Sequence, residues 1–241
     1  DRRQIIHRTM ITAGLPESML AAKIEAWENA LPSYLKLAYL PNPGAVRLRL
    51  SAYEVEGESV SKEIERQFEA LRKIIPHNII GYETATMQEL VHKLLTERGL
   101  TLATAESCTG GNIAARFTAM PGASAYFLCG VVSYSNASKH DILGVDPEVI
   151  ARHGAVSEEV ARRMAEGARR ISGADYAIAT TGIAGPAGGS AEKPVGTVWI
   201  AVAPPHRTTA ILKQCGSDRG QIIDRASAFA ISLLRDELNG K

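Results

Sequence analysis

The first third of the chain alternates apolar and polar residues with two different periods. Apolar side chains recur at helical spacing over 18–31 and 60–75, which predicts two helices that each bury one face. Two strand-like runs, 35–40 and 46–52, flank the turn residues 41–44, and the second run alternates apolar residues with arginine and serine, so a hairpin with one solvated face is predicted. We therefore expect residues 1–82 to form a small α+β domain, large enough to fold by itself.

A different pattern begins near Thr86. Thr86 and Glu89 form a capping box that predicts a helix ending at Gly99. Short apolar runs then alternate with helical patterns and glycine-rich turns, which is typical of a layered α/β/α domain over 86–241. The predicted strands lie at 102–104, 127–133, 176–180, 198–203 and 210–215, and the predicted helices lie near 110–118, 157–171 and 220–238. The overall fold class is therefore α/β, with a smaller α+β domain first.

Composition narrows the class of protein. The 241 residues are 45% hydrophobic and 22% charged, which indicates one or two globular domains. A formal net charge of +1 is too balanced for a protein that mainly neutralises nucleic acid or an anionic membrane. No segment approaches the ~18 apolar residues of a membrane span, and no leader pattern opens the chain, so a cytoplasmic location without membrane contact is expected. The first residue, Asp1, is not Met, which suggests a piece of a longer protein.

The segment 104–111 places small polar residues between a predicted buried strand and a helix start. Ser107 there would lie beside free backbone N–H groups, which stabilise an oxyanion, and Gly110 and Gly111 would let a substrate approach the backbone. Two alternatives stay open from the residues alone. Ser107 could be a plain helix N-cap, or Cys108 could be the nucleophile, although no histidine stands near it in sequence.

A second polar segment, 132–139, leaves the next strand. Lys139 is the candidate base, because a desolvated lysine can activate a serine, while an ordinary surface lysine is the alternative. Tyr134 could orient the amine or cover the core with its ring. A third segment, 180–190, is a glycine-rich loop that lacks the endings of nucleotide-binding motifs, so it could receive a phosphate or be a plain loop.

Further along the chain, Lys193 and Arg219 supply positive charge. Arg219 stands at a predicted helix start, where it could hold a phosphate through two hydrogen bonds or could simply be exposed. The six histidines and three cysteines show no metal-ligand spacing, so the residues favour a metal-free hydrolase.

Several of these segments together resemble one family. They are TAESCTGG at 104–111, VVSYSNASK at 131–139, HGAVSEEVA at 153–161 and TGIAGPAGGSAEKPVGTVW at 181–199. They look like the C-terminal domain of the competence/damage-inducible CinA family, equivalent to the stand-alone deamidase PncC. Residues 1–82 resemble the KH-like middle domain of that family, through 13–18 and 43–50. The N-terminal molybdopterin-binding-like domain of the family does not match any part of this chain.

The resemblance implies hydrolysis of nicotinamide mononucleotide to nicotinate mononucleotide and ammonia, in pyridine nucleotide salvage, by a Ser-Lys pair and without a metal or cofactor. By motif, Ser107 is the nucleophile, Lys139 its base, and Tyr134 positions the lysine. Substrate contacts carried over in the same way are Glu106, Cys108, Thr109, Gly110, Thr181, Gly182, Ala184, Gly185 and Arg219. The family also implies a homodimer.

The KH-like match leaves a second hypothesis, that of a nucleic-acid or partner-binding module without catalysis. A KH domain holds the nucleic-acid backbone with a GxxG loop, and no glycine of the first 82 residues begins one. Nucleic-acid binding is therefore disfavoured, and a spacer or association role is the preferred interpretation of this domain.

Overall fold

The structure is a computed structural model that describes residues 5–53, 57–82 and 86–240. The chain divides into two compact units, one up to Thr86 and one from Met87 onward. Both units mix helices with one sheet each, so the predicted α/β class is confirmed.

The first unit is a four-stranded antiparallel sheet with two helices on one face. In chain order it contains β1 (Ile5–Thr12), α1 (Glu17–Asn29), β2 (Leu35–Asn42), β3 (Ala45–Tyr53), α2 (Gly57–Ile74) and β4 (Ile79–Tyr82), and the strand order is β2-β3-β1-β4. The predicted hairpin turns at Pro43 and Gly44, where Gly44 has a φ of 80°. Leu20, Ile24 and Phe68 of the helices pack on the inner face of the sheet, so the predicted apolar helix faces form the core.

One face of the hairpin, which carries Arg47, Arg49 and Ser51, is less exposed to solvent than the sequence predicts. Ser51 is buried, and Arg47 and Arg49 are only half exposed. The reason is the position of β3, which lies between β1 and β2, so that side chains of both neighbouring strands flank its outer face.

The second unit contains a five-stranded mixed sheet between two layers of helices. Its elements are α3 (Met87–Arg98), β5 (Leu102–Glu106), α4 (Asn112–Thr118), β6 (Phe127–Val132), α5 (Asn136–Asp141), α6 (Pro147–His153), α7 (Glu158–Ser172), β7 (Tyr176–Gly182), β8 (Thr197–Ala203), β9 (Thr209–Gln214) and α8 (Arg219–Leu238), with a 3-10 turn at Ala123–Ala125. The order is β6-β5-β7-β8-β9, in which β6, β5 and β7 are parallel and β8 and β9 are antiparallel.

Two cores lie on the two faces of this sheet. Helices α3, α4 and α8 cover one face, and α7 with the segment around α6 covers the other. The second face is lined by alanines of β5, β7 and β8, whose small side chains let α7 approach closely. Gly167 of α7 is essential to that packing, because a Cβ there would lie 2.1 Å from the Leu143 carbonyl oxygen. The absence of a side chain at Gly167 therefore lets α7 pack directly against the segment that follows α5.

Sequence signals explain most helix ends in this unit. Ser157 caps α7 through the Val160 N–H, as predicted, and Asp146 caps α6 with Pro147 at the first helical position. The sequence contains the Asp146 cap and Pro147, but it does not predict α6. A helix of seven residues is too short to show a clear hydrophobic period. Within the described ranges, no helix is long and apolar enough to cross a membrane.

The parallel strands β5, β6 and β7 end at the same edge of the sheet, at Glu106, Val132 and Gly182. Ligands of open α/β sheets bind at this carboxyl edge. The three polar segments predicted at 104–111, 132–139 and 180–190 therefore all lie at this edge of the sheet.

Candidate active site

Ser107 follows β5 in a tight turn held by its own backbone. Its N–H donates to the Thr180 carbonyl at 3.0 Å, and its carbonyl accepts from the Gly110 N–H at 3.1 Å. The N-cap residue of α4 is Gly111, with a φ of 96° and no side-chain cap. The alternative in which Ser107 is a helix cap is therefore wrong, and its hydroxyl is free for another role.

Glu106 does the capping instead. Its buried carboxylate accepts from the N–H groups of Gly111 (3.1 Å), Ile113 (3.0 Å) and Ala114 (2.8 Å), and from the Thr109 hydroxyl (2.7 Å). A carboxylate at a helix N-terminus satisfies unpaired N–H groups and complements the helix dipole. The resemblance implies a substrate contact at Glu106, whereas the structure gives its oxygens four protein donors.

Lys139 reaches Ser107 from α5. Its side chain is 2% exposed, and Nζ lies 3.1 Å from Ser107 Oγ and 2.8 Å from the Ser133 carbonyl oxygen. A capping box formed by Ser135 and Ser138 starts the helix that carries it. The surface-lysine alternative is therefore wrong.

The environment of Lys139 favours its neutral form. Burial lowers the pKa of the amine from its ordinary value of 10.5. Within the described part of the chain, no carboxylate pairs with it. A neutral amine beside a serine hydroxyl can take up the hydroxyl proton.

Backbone donors lie beside the serine. In the described residues, the Thr109 N–H has no hydrogen-bond acceptor and the Cys108 N–H meets its own thiol sulfur, whereas the Gly110 N–H donates to the Ser107 carbonyl oxygen. Buried N–H groups without partners are uncommon and are available to a developing oxyanion. The N–H groups of Cys108 and Thr109 are therefore the candidate donors to an oxyanion at Ser107.

The Cys108 thiol is poorly suited to be the nucleophile. It is buried among apolar residues, and burial raises its pKa to about 12. Since the thiolate is the reactive form of cysteine, this thiol stays protonated at neutral pH. Burial also raises the pKa of the Cys215 thiol to about 11, so this thiol is protonated at neutral pH as well.

Tyr134 and Arg219 form a separate part of the site. Tyr134 is 60% exposed, and its hydroxyl accepts from Arg219 Nη2 at 2.9 Å, while Arg219 Nη1 donates to the Gly185 carbonyl at 2.8 Å. The tyrosine ring therefore does not cover the core, and its hydroxyl contacts the guanidinium and not Lys139. Arg219 joins the segment after β6 to the glycine-rich loop after β7.

The glycine-rich loop is tied back to the α6–α7 connection. Lys193 Nζ donates to the carbonyl oxygens of His153 (3.2 Å) and Val156 (2.8 Å), and the Thr181 hydroxyl donates to the Ala155 carbonyl at 2.7 Å. Such contacts argue against a plain mobile loop.

Two positions need small residues, one at the end of β7 and one in the glycine-rich loop that follows it. A Cβ on Gly182 would lie 2.7 Å from the Thr197 carbonyl oxygen, and Gly185 has a φ of +74°. Ala184 is buried in the core between them. The backbone therefore lies directly against Thr197 at Gly182 and accepts a hydrogen bond from Arg219 at Gly185.

The structure thus brings the predicted site residues together in two groups. The first group contains Ser107, Cys108, Thr109, Gly110 and Lys139. The second group is linked by hydrogen bonds and contains Tyr134, Gly185 and Arg219. Sequence reasoning missed Ser133, which contacts Lys139, and Lys193 as a tether, since neither role leaves a local pattern. Among the described residues, no three histidine, cysteine, aspartate or glutamate side chains group as metal ligands.

The chain is similar to proteins of one family over nearly its whole length. The family model for the CinA C-terminal domain matches residues 84–238, and the model for the damage-inducible protein CinA KH domain matches residues 7–81. A CinA-like protein of Flavobacterium psychrophilum is 45% identical over 239 residues, and one of Cytophaga hutchinsonii is 42% identical over 234 residues. These alignments include 99% and 97% of this chain but 57% and 56% of the relatives, so the chain spans little more than half their length.

Solved structures match about two thirds of the chain. A CinA superfamily protein of Klebsiella pneumoniae is 38% identical, with a TM-score of 0.62, and the match covers 65% of this chain and 100% of that one. A competence/damage-inducible protein of Agrobacterium tumefaciens is 42% identical, with a TM-score of 0.61, over 64% of this chain and 95% of its own. The chain belongs to the CinA family, with a KH domain followed by a CinA C-terminal domain.

Proposed function

We propose that the second unit hydrolyses the carboxamide of nicotinamide mononucleotide, giving nicotinate mononucleotide and ammonia. The observation that carries this proposal is the 3.1 Å contact between Lys139 Nζ and Ser107 Oγ, with the lysine buried and its pKa lowered. An amide bond needs an activated nucleophile, and a neutral lysine beside a serine supplies one.

In the proposed acylation step, the Lys139 amine accepts the Ser107 proton while Ser107 Oγ attacks the carboxamide carbon. The N–H groups of Cys108 and Thr109 donate to the oxyanion that forms. Lys139 then gives its proton to the amide nitrogen, the carbon–nitrogen bond breaks, and ammonia leaves. Water hydrolyses the resulting ester on Ser107 and releases the carboxylic acid.

Arg219 is the proposed phosphate ligand. Its side chain is exposed, and in the described residues Nη1 donates to a backbone carbonyl and Nη2 to a tyrosine hydroxyl, which leaves further N–H groups of the guanidinium available. A phosphate is a stronger acceptor than either group and takes two parallel hydrogen bonds from arginine. In this proposal, the mononucleotide spans the distance between the Ser107 turn and the loop that carries Gly185.

The test is release of ammonia from nicotinamide mononucleotide in the presence of excess chelator. We expect activity in the full chain, its loss in Ser107→Ala, and full activity in the control Ser124→Ala, whose serine is exposed in the 3-10 turn. Activity that survives in Ser107→Ala would exclude the serine mechanism. If the wild-type chain releases no ammonia, a binding function without catalysis would be favoured. The match of residues 7–81 to a KH domain is the observation that supports this second function.

We also propose that the second unit is sufficient for this reaction. Every residue given a role here lies after residue 104, and the Klebsiella pneumoniae relative is matched along its whole length by 65% of this chain. Comparing the fragment 86–241 with the full chain tests this point. Equal turnover would assign the first unit a role other than catalysis.

A further inference from the structure

Thr180 of β7 is completely buried and contacts the turn at 107–110 at two points. Its backbone carbonyl accepts from the Ser107 N–H at 3.0 Å, and its Oγ1 lies 2.7 Å from the Thr109 Oγ1. Outside the turn itself, no other residue in the described part of the chain has hydrogen bonds to both Ser107 and Thr109. Thr180 therefore joins both residues to the central strand of the sheet.

The carboxylate of Glu106 fixes the direction of the hydrogen bonds among these side chains. A carboxylate oxygen only accepts, so the Thr109 hydroxyl donates its single hydrogen to Glu106 Oε2 at 2.7 Å. In the 2.7 Å contact between the two threonines, Thr180 must then be the donor. All three residues are at most 2% exposed, so water does not compete for these bonds. Hydrogen bonds on both sides of its hydroxyl therefore hold the Thr109 side chain in one orientation.

Thr109 also carries the backbone donor that faces no other acceptor. Its N–H is unpaired among the described residues, and it stands two residues after Ser107 in the turn closed by the Gly110 N–H. Donors to an oxyanion are effective because they are held in place before the charge forms. Since the hydroxyl and the N–H belong to the same residue, the bond from Thr180 restrains both.

We infer that Thr180 is a positioning residue, whose hydroxyl holds Thr109 so that the Thr109 N–H meets the oxyanion formed at Ser107. The inference rests on the proposed function. Thr180 takes no part in the proton transfer between Ser107 and Lys139, and it acts through Thr109. Because the oxyanion exists in the transition state and not in the bound substrate, the effect of Thr180 falls on kcat and not on KM.

The experiment compares Thr180→Val, which replaces the hydroxyl by a methyl group, with Thr104→Val. Thr104 is a second fully buried threonine of the same sheet, and its hydroxyl has no partner in the described residues. We expect Thr180→Val to lower kcat for ammonia release by about ten- to a hundredfold, with KM within about twofold of the wild type. Thr104→Val should match the wild type in both constants.

Rescue by the conservative variant separates the hydroxyl from the packing of the side chain. Thr180→Ser keeps the donor and should retain at least about half of the wild-type kcat, whereas Thr180→Ala should lose as much as Thr180→Val. The serine and alanine variants differ only in the hydroxyl, so they give the same comparison if the valine variant does not fold. Thermal unfolding checks each protein. Equal kcat in Thr180→Ser and Thr180→Ala would overturn the inference.

A double-mutant cycle shows whether Thr180 acts through Thr109. Thr109→Val removes the group that accepts from Thr180, so Thr180→Val should lower kcat no further in that background. The pH midpoint of kcat/KM should stay at the wild-type value in Thr180→Val, because Lys139 is not bonded to either threonine. Losses that multiply in the double variant, or a loss in Thr180→Val that comes only from a raised KM, would contradict this role.

A second substrate separates this inference from the proposed function. With p-nitrophenyl acetate, an activated ester, nitrophenolate release above the level of Ser107→Ala reports acylation of Ser107 whether or not the mononucleotide is the substrate. If nicotinamide mononucleotide is inert but Thr180→Val slows ester cleavage at least about tenfold, the role of Thr180 is supported and only the proposed substrate is wrong. Ester cleavage equal in the wild type and Thr180→Val would overturn the inference alone. A wild-type chain that acts on neither substrate would overturn both proposals.

Discussion

Lys139 Nζ lies 3.1 Å from Ser107 Oγ, although 32 positions separate the two residues in the chain. The contact forms because β5 and β6 are parallel neighbours that end at the same sheet edge, and α5 starts immediately after the turn that follows β6. The fold therefore buries a lysine beside a serine that strand β5 delivers to the same edge.

Replacing Lys139 should remove the chemistry while leaving the fold. We expect Lys139→Met to lower kcat for amide hydrolysis by at least about a thousandfold, because no other base contacts Ser107 in the described residues. Steady-state ammonia release measures it. Lys93→Met is the matched control, since Lys93 is exposed on α3, and it should behave as the wild type. A Lys139→Met protein with near-normal turnover would rule out the lysine as base.

The pH dependence should follow the lysine. Burial lowers the Lys139 pKa below 10.5, and only the deprotonated amine accepts the serine proton. Activity should therefore be lost as pH falls through that pKa and should reach a plateau above it, with the midpoint below 10.5. Measuring kcat/KM between about pH 5 and about pH 10 locates the midpoint, with circular dichroism as a check on folding. A rate that declines steadily with rising pH would contradict this role.

Glu106 should be required for stability. Glu106→Ala leaves three N–H groups without their acceptor and removes one of the two hydrogen-bond partners of the Thr109 hydroxyl, so we expect the free energy of unfolding of the second unit to fall by about 3 kcal/mol. Urea titration measures the change. Glu97→Ala, which removes an exposed carboxylate of α3, should change it by less than about 0.5 kcal/mol. Equal stability in the two variants would show that the Glu106 cap is dispensable.

Cys108 should be dispensable for chemistry. Its pKa of about 12 keeps the thiol protonated, so Cys108→Ala should retain turnover within about threefold of the wild type. For the same reason, iodoacetamide at neutral pH should not inactivate the protein through Cys108. Rapid inactivation by the reagent, lost in Cys108→Ala, would instead identify a reactive thiol in the site.

Arg219 should act on binding. We expect Arg219→Ala to raise KM for nicotinamide mononucleotide by about ten- to a hundredfold with little change in kcat, because in the proposed complex the arginine binds the phosphate and not the carboxamide that reacts. Nicotinamide riboside, which lacks the phosphate, is the control substrate, and on it the variant should match the wild type. An equal loss on both substrates would mean that Arg219 holds the loop through Gly185 and does not bind phosphate.

Much of the fold follows from local sequence. The helical periods of α1, α2, α7 and α8, the hairpin at Pro43 and Gly44, and the Ser157 cap were predicted within a few residues of their ends. These features depend on side-chain period and turn chemistry, which neighbouring residues determine. The missed helix α6 and the overestimated exposure of β3 depend on what packs beside them, which local patterns do not record.

The site divides in the same way. By itself, the sequence determined the candidate nucleophile, the candidate base, the glycine-rich loop and the family, because each is a local motif. Only the tertiary structure decided that Ser107 is not a cap, that Glu106 takes that role, that Lys139 is buried, and that the Tyr134 hydroxyl meets Arg219. Burial and hydrogen-bond pairing arise between segments distant in sequence, so they exist only once the strands β5, β6 and β7 are aligned.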